Sequence, residues 1–307
     1  MTASRPIEKL QQALTDTNRV VLGKEGPVKL AFTCLLALGH LLIEDLPGVG
    51  KTTLAHVIAR LLGLEYQRIQ FTSDLLPADI LGVSVFDRES GAFRFHPGPV
   101  FAQLILADEV NRATPKAQSA LLEAMEERQV TVEGQTRPLP APFFVIATQN
   151  PSHQIGTFPL PESQMDRFLM RIALGYPDRA AERALLAGED RRAMVAALTP
   201  ALTPEELSAL QNEVKNVYVA AALIDYVQAL AEYTRHSAEL EAGLSPRAAL
   251  GLLAAARAWA LIDGRDHALP EDVQAVFPAV AGHRLRQVNG ATPENDLPRR
   301  IIEAVAL

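Results

Sequence analysis

The sequence predicts an α/β domain over residues 1–176, followed by an all-α domain over residues 177–307. In the first part, short apolar runs alternate with helical patterns, which is typical of a parallel sheet covered by helices. A glycine loop joins one of these runs to a helix. Beyond Tyr176-Pro177 the chain becomes rich in alanine, and several helical segments there begin with Ser, Thr or Pro.

Composition narrows the class of protein. A chain of 307 residues, nearly half of them hydrophobic, is long enough for two domains with sizeable cores. The net charge of −7 argues against nucleic-acid binding, because such proteins usually carry a basic stripe. The one cysteine, Cys34, excludes an intramolecular disulfide and a cysteine-based metal cluster. A polar N-terminus and the lack of long apolar runs predict no signal peptide and no membrane insertion, so we expect a cytoplasmic protein.

The most informative stretch begins with the apolar run Leu41–Ile43. A proline–glycine loop follows it, and then come apolar residues at helical spacing up to Leu62. Strand, glycine loop, Lys-Thr and helix in this order predict a phosphate-binding loop, in which backbone N–H groups and the helix N-terminus hold phosphate oxygens. Its candidate nucleotide-binding residues are Pro47, Gly48, Val49, Gly50, Lys51, Thr52 and Thr53.

Two side chains of this loop have specific predicted tasks. Lys51 would neutralise the β- and γ-phosphates, and the hydroxyl of Thr52 would hold Mg²⁺. One position departs from the usual G-x-x-x-x-G-K-[ST] pattern, because Asp45 stands where the first glycine is expected. The alternative interpretation is a chance Gly-x-Gly-Lys turn on a surface loop, and the flanking strand and helix argue against it.

A second apolar run, Phe101–Ala107, ends in two adjacent carboxylates, Asp108 and Glu109. Ligands bind at the carboxyl ends of strands in open α/β sheets, so these acids are candidates for the same site as the loop. Successive side chains of a strand point to opposite faces, so the two acids should have different tasks. Asp108 would help to bind the nucleotide by orienting the Mg²⁺ water shell, and Glu109 would polarise the attacking water.

A third apolar run, Phe143–Thr148, is followed by Asn150. We expect the amide of Asn150 beside the two acids, where it could hold the γ-phosphate or the attacking water. The alternative is that Asn150-Pro151 is simply a turn.

The N-terminal region predicts two helices, Pro6–Thr17 and Val28–Leu38, with Gly39 ending the second. The short apolar turn between them, Val20–Glu25, could place Val21 against an adenine ring. A plain turn between helices is nearly as well supported by the sequence.

Two hairpins are predicted as insertions in the α/β domain. Alternating residues near 83–95 flank a turn at Ser90-Gly91, and a second alternating segment covers residues 129–139 around Glu133-Gly134. A short helix before Phe168 then leads into a last strand, Phe168–Ile172. The predicted helices of the second domain are Arg179–Leu186, Pro204–Asn212, Ala220–Thr234, Pro246–Ile262 and Pro270–Phe277.

Five segments resemble motifs of the MoxR family of AAA+ ATPases, and the resemblance follows essentially the whole chain in order. They are Gly48–Thr52, Leu106–Ala113, Ala147–Pro151, Leu160–Phe168 and Leu244–Ala248. The resemblance implies a P-loop AAA+ core with a five-stranded parallel sheet in the order 5-1-4-3-2 and a C-terminal all-α lid domain. The two hairpins resemble the insertions of the helix-2-insert group, which includes the magnesium-chelatase ATPase subunit.

The same resemblance implies roles for single residues. Lys51 and Thr52 match the Walker A residues, Asp108 and Glu109 match the Walker B pair, and Asn150 matches sensor 1.

Two arginines match further catalytic positions of the family. Arg247 matches the sensor 2 arginine of the lid, and Arg167 matches the arginine finger, which would complete the site of a neighbouring subunit. Such a finger stabilises charge on the transferring phosphoryl group. An alternative for Arg167 is a salt bridge with Asp166 or Glu162, and Arg171 is a weaker candidate for the finger.

The function implied by the resemblance is that of an ATP hydrolase with ATP and Mg²⁺ as cofactors. Its subunits would form a homo-oligomeric ring, a hexamer in this family, that acts as a chaperone-like motor. The ring would remodel or mature partner proteins, including metal-cofactor insertion, and such partners often carry a von Willebrand factor A domain. The alternatives are a nucleotide-gated switch or scaffold with little turnover and a chelatase-type ATPase subunit; a nucleic-acid remodeller fits least well.

Overall fold

The computed structural model describes residues 6–89, 91–150, 157–188, 190–288 and 296–305. Strands and helices alternate through the first part of the chain, as predicted. The helices there are α1 (Pro6–Val20), α2 (Glu25–Leu36), α3 (Lys51–Leu61), α4 (Pro77–Leu81), α5 (Pro115–Glu127) and α6 (Glu162–Met165). The strands there are β1 (Leu41–Glu44), β2 (Tyr66–Gln70), β3 (Gly82–Asp87), β4 (Ala92–Pro97), β5 (Leu104–Asp108), β6 (Gln129–Val132), β7 (Gln135–Pro138), β8 (Phe144–Gln149) and β9 (Met170–Ile172).

Five of the strands form one parallel sheet in the order β2-β5-β8-β1-β9. Numbered along the chain as core strands 1 to 5, this is the order 5-1-4-3-2, so the predicted topology is confirmed. In its centre, Leu41 of β1 lies opposite Ile146 of β8 and Met170 of β9. Because all strands run the same way, the loops after β1, β5 and β8 leave the sheet at one edge, called here the carboxyl edge. The opposite edge is called the amino edge.

Both faces of this sheet are buried, which explains why its strands appear in the sequence as continuous apolar runs. Leu104 and Leu106 of β5 pack with side chains of α1, α2 and α3 on one face. Ile105 and Ala107 pack with side chains of α5 on the other face. The sheet is therefore the middle layer of three, and only its two edges are open to ligands.

Two antiparallel hairpins project from this core at the predicted places. β3 pairs with β4, and β6 pairs with β7. Glu133 and Gly134 form the second turn, both with positive φ, 53° and 75°, as a tight two-residue turn requires. Gly91 has the positive φ of the first turn, 65°, and its predicted neighbour Ser90 lies outside the described residues.

The end of α2 differs from the prediction. The helix stops at Leu36, and Leu38, with φ 58°, takes the left-handed conformation expected of Gly39. A Cβ on Gly39 would lie 2.3 Å from side-chain atoms of Leu169, so this glycine is needed for a close approach. Local sequence could not reveal that reason, because Leu169 is far along the chain.

The second part of the chain is helical, as predicted. Its helices are α7 (Arg179–Ala187), α8 (Arg191–Ala197), α9 (Pro204–Val214), α10 (Ala221–His236), α11 (Pro246–Ile262), α12 (Pro270–Ala281) and α13 (Leu297–Ala304). A short antiparallel pair, β10 (Leu240–Ala242) with β11 (Arg286–Gln287), was not predicted. Within the described segments, no helix is both long enough and apolar enough to cross a membrane.

His40, which directly precedes β1, is a buried polar side chain in the core of the α/β part. Its Nδ1 accepts a hydrogen bond from the Val145 N–H at 3.0 Å, and its Nε2 donates to the Met125 carbonyl at 3.2 Å. The ring packs against Phe143 and Phe144. Burial lowers the pKa of His40 to about 4, and the bond to Met125 opposes this only in part.

Folding stability should therefore decrease in mild acid. His40 is neutral in the fold, whereas the unfolded chain takes up a proton as the pH falls below its ordinary pKa of 6.5. The free energy of unfolding should fall between pH 6.5 and about 4, and His40 alone should account for about 3 kcal/mol of the loss. Urea unfolding of wild type, His40→Gln and a control, His236→Gln at an exposed position, measures this slope. A slope that is equally steep in all three proteins would rule out His40 as its source.

Candidate nucleotide-binding and hydrolysis site

The phosphate loop leaves β1 at the carboxyl edge and enters α3. Gly48 and Gly50 have φ values of 85° and 99°, which residues with side chains rarely adopt. Gly50 is the N-cap of α3 and gives no side-chain cap, unlike Thr114 at α5 or Ser245 at α11. The first N–H groups of α3 have no acceptors within the helix, and they are open to an anion from the cavity.

A cavity of about 310 Å³ lies in front of this helix end. Its walls bring together residues from the loop, from the end of β5 and from the end of β8. They are Pro47, Gly48, Gly50, Lys51, Thr52, Thr53, Asp108, Glu109 and Asn150. All nine were proposed from the sequence. Two other proposed contacts do not line it: Val49 and Val21 pack into the hydrophobic core.

Lys51 is nearly buried at the floor of the cavity. Its Nζ donates to the backbone carbonyl of Asp45 at 2.6 Å and to Asn150 Oδ1 at 3.4 Å. Burial lowers the pKa of Lys51, while the carboxylates of Asp45, Asp108 and Glu109 oppose that shift. A phosphate group in the cavity would add a further partner for this ammonium group.

Asp108 ends β5 with both carboxylate oxygens engaged. The hydroxyl of Thr148 donates to Oδ1 at 2.5 Å, and the guanidinium of Arg68 donates to Oδ2 at 2.6 Å. The hydroxyl of Thr52 lines the same cavity, so hard oxygen donors suited to Mg²⁺ are present. Arg68 and Thr148 were not predicted from the sequence, because they reach Asp108 from the neighbouring strands β2 and β8.

Glu109 has an unusual backbone conformation. Its φ of 57° is rare for a residue with a side chain, and such conformations cluster at functional sites. Its N–H donates to the Thr148 hydroxyl at 2.9 Å. This turn, directly after the last residue of β5, brings Glu109 to the same cavity as Asp108, and the different tasks of the two acids remain a prediction.

The carboxylate of Glu109 is held by three donors from different parts of the sheet domain. Asn150 Nδ2 donates to Oε1 at 3.1 Å, whereas Gln70 Nε2 and Arg112 donate to Oε2 at 3.1 and 2.9 Å. Asn150 thus bridges Glu109 and Lys51 across the cavity. Gln70 and Arg112 were not predicted; the nearest sequence signal is the position of Gln70 at the end of the strand beside β5.

Asp45 explains the departure from the usual loop pattern. Its Oδ1 accepts from the Leu46 N–H at 2.7 Å, and its Oδ2 accepts from the N–H groups of Leu174 and Gly175, both at 2.6 Å. These bonds tie the start of the phosphate loop to the chain that follows β9. A glycine has no side chain to make them, so Asp45 stabilises the start of the loop.

The two proposed catalytic arginines lie elsewhere in the protomer. Arg167 donates to the Leu122 carbonyl at 2.7 Å, and Arg247 pairs with Glu126. Both partners belong to the C-terminal half of α5, next to Met125, whose carbonyl binds His40 just before β1. The arginines therefore lie toward the amino edge and do not line the cavity of their own protomer, and their roles as finger and sensor 2 remain predictions.

Further ion pairs bear on the alternative roles considered for Arg167 and Arg171. Asp166 and Glu162, the alternative partners of Arg167, pair instead with Arg284 and Arg286. Arg171, the weaker candidate for the finger, pairs with Glu44 at 3.0 Å inside its own protomer.

A parallel sheet in this order, with a phosphate loop, two acids and an amide at its carboxyl edge, defines a P-loop ATPase with a helical lid. The family model "ATPase family associated with various cellular activities (AAA)" matches residues 40–170, and the model "AAA lid domain" matches residues 232–304. The chain belongs to the MoxR family of AAA+ ATPases and is thus a chaperone-like AAA+ ATPase.

Several proteins are similar in sequence to this chain over most of its length. Chaperone MoxR1 of Mycobacterium tuberculosis is 40% identical and covers 98% of this chain and 83% of its own. Protein MoxR of Paracoccus denitrificans is 35% identical over 90% of this chain and 88% of its own. A crystal structure from Cytophaga hutchinsonii, described as a candidate ATPase, superposes with a TM-score of 0.87 at 36% identity, over 98% of this chain and 94% of its own.

The role of Asp45 can be tested with Asp45→Asn. The amide keeps the volume but turns donors toward buried N–H groups, so the free energy of unfolding should fall by about 1–3 kcal/mol. ATP affinity should change less than about threefold, because the carboxylate does not line the cavity. Denaturant unfolding and a fluorescent-nucleotide titration measure the two effects, with the exposed Asp225→Asn as control. Equal stability of the two variants would contradict a structural role.

Proposed function

We propose that this chain is an ATP hydrolase that assembles into a ring, a hexamer, and uses turnover to remodel or mature partner proteins. The observation that carries the proposal is the division of the catalytic groups between two edges of one protomer. The binding and water-activating residues line the cavity at the carboxyl edge. The two arginines that the chemistry needs are held near the C-terminal half of α5.

The cavity supports ATP and Mg²⁺ as cofactors. The loop N–H groups and Lys51 would hold the phosphates, and Thr52 and Asp108 would hold Mg²⁺ through its oxygen-rich shell. Held by these two residues, Mg²⁺ would supply positive charge that offsets the negative charge of the phosphates. Arg68, which pairs with Asp108, would offset the negative charge of this carboxylate when no metal is bound.

Glu109 is the proposed general base, with Asn150 as the group that orients water or the γ-phosphate. A carboxylate has about four lone-pair sites, and the three donors occupy one on Oε1 and two on Oε2, so Oε1 keeps a free site that could accept a proton from water. Asn150 contacts both Glu109 and Lys51, which supports its proposed role in holding the γ-phosphate or the attacking water.

Arg167 and Arg247 would act on the site of the neighbouring subunit. Each is partly exposed and holds one partner on α5, so each can exchange that partner for a phosphate oxygen across an interface. A finger in this position makes hydrolysis depend on assembly. A solitary subunit would bind nucleotide but turn it over slowly.

The output proposed for the ring is work on a partner protein. The first hairpin presents exposed apolar side chains, Val83, Val85, Phe86 and Phe93, outside the core. A partner with a von Willebrand factor A domain is proposed from the family, and cytoplasmic location is proposed with it. The exposed hairpin supports a motor over a switch or scaffold. The three-donor arrangement around Glu109 supports it as well, because a switch with little turnover has no need of a positioned water-activating carboxylate.

Glu109→Gln should separate binding from chemistry. The amide is isosteric but cannot accept the proton, so turnover should fall by about 10²–10⁴-fold while ATP affinity stays within about threefold. Steady-state phosphate release and nucleotide titration measure these quantities, with the exposed Glu123→Gln as control. Turnover equal to that of the control would remove Glu109 as the base.

Arg167→Ala should bind ATP normally and hydrolyse it at least about a hundredfold more slowly, because charge on the phosphoryl group loses its partner. The in-trans role is tested by adding Glu109→Gln subunits, whose own sites are inactive but whose fingers are intact. Addition at constant Arg167→Ala concentration should raise the ATPase rate. The exposed Arg299→Ala serves as control. No rise, in mixtures shown by light scattering to form mixed rings, would argue against a finger at this position.

A further inference from the structure

The segment that carries Arg167 is attached to the lid of its own protomer. This segment, residues 162–169, precedes β9 and lies between the sheet domain and α12. The position of Arg167 in a ring depends on what holds this segment, so the following inference rests on the proposed function.

Arg284, three residues after the end of α12, is the principal contact. Its side chain is only 7% exposed. Nε donates to Asp166 Oδ1 at 2.6 Å, and the two terminal nitrogens donate to backbone carbonyls of Asp166 at 3.0 Å, Phe168 at 2.7 Å and Leu169 at 3.1 Å. One guanidinium therefore binds the residues on both sides of Arg167.

The carbonyl of Val280, in the last turn of α12, also accepts from Arg284. The guanidinium of Arg284 thus bonds both to the lid helix α12 and to the segment 162–169 that carries Arg167. Its planar fork of donors can hold several acceptors in fixed directions, which a lysine cannot do.

Other lid residues hold the same segment more weakly. His283 Nε2 donates to the Phe168 carbonyl at 3.1 Å, and the Ser245 hydroxyl donates to Asp166 Oδ2 at 3.4 Å. Arg286 pairs with Glu162 at the surface. The sheet domain contributes the Leu122 carbonyl, which Arg167 itself contacts, and the His40 carbonyl, which accepts from the Leu169 N–H.

We propose that Arg284 is a positioning residue that couples the lid of one subunit to the arginine finger which that subunit offers to its neighbour. A movement of α12 shifts Asp166 and Phe168, because both are bonded to the guanidinium of Arg284, and Arg167 moves with them because it lies between them in the chain. The lid state at one site thereby sets the hydrolysis rate at the next.

The test uses Arg284→Gln in the full-length protein, with Arg286→Gln as a matched control. Arg284→Gln should lower kcat at least tenfold, while the affinity for a fluorescent ATP analogue stays within twofold. Arg286→Gln, which removes only an exposed ion pair, should leave both unchanged. Arg284→Lys should recover little activity, since it keeps the charge but not the fork.

Subunit mixing separates a role through the finger from a role at the subunit's own site. Glu109→Gln subunits supply intact fingers, so their addition should raise the rate of Arg284→Gln as it raises that of Arg167→Ala. The double variant Arg167→Ala/Arg284→Gln should be no more than twofold slower than Arg167→Ala alone. A multiplicative loss in the double variant would overturn the inference.

Two outcomes distinguish this inference from the proposed function. If Glu109→Gln subunits rescue Arg167→Ala but not Arg284→Gln, the coupling through Arg284 is wrong and the ring mechanism stands. If neither variant is rescued, the finger role of Arg167 in the proposed function is wrong, and the inference, which depends on it, is wrong as well. Should Arg284→Gln not fold, Asp166→Asn keeps the buried cation and its carbonyl partners, and at least a threefold, rescuable loss of kcat is then expected.

Discussion

The parallel pairing of β1 with β8, and of β8 with β5, is the constraint on which the site depends. Three loops leave the sheet at the same edge only because these three strands are neighbours and run in the same direction. The phosphate loop, the two acids and Asn150 are far apart in sequence, and they share one cavity for this reason. Burial of both sheet faces then fixes the register, since a shift by one residue would expose every apolar side chain.

The same geometry keeps the two proposed catalytic arginines out of the cavity of their own protomer. Polar groups at the carboxyl edge can bind phosphates and activate water, but no arginine of the lid lines the cavity in the part of the chain that the structure describes. Arg167 and Arg247 lie near the end of α5, together with the lid contacts made by Arg284. In the proposed ring, nucleotide binding would lie on one surface of a subunit and the two proposed catalytic arginines on another, with the lid attached to the second.

Local sequence signals predicted the elements well where one short segment carries the whole signal. The glycine loop, the buried runs before Asp108 and Asn150, and the turn at Glu133-Gly134 all belong to this kind. Signals that depend on a distant partner were missed. Gly39 ends no helix and instead admits Leu169, and Asp45 replaces a glycine because it binds the N–H groups of Leu174 and Gly175.

By itself, the sequence determined the order of the elements, the phosphate loop and the set of residues that would carry the chemistry. Apolar periodicity and glycine positions are local properties, and the resemblance to a family extends them to topology. Only the tertiary structure decided which groups meet. The hold of Arg68 and Thr148 on Asp108, the three donors on Glu109 and the capture of Asp166 by Arg284 all cross between strands or domains. Such contacts depend on which strands and helices become neighbours, and no segment of the chain carries that information alone.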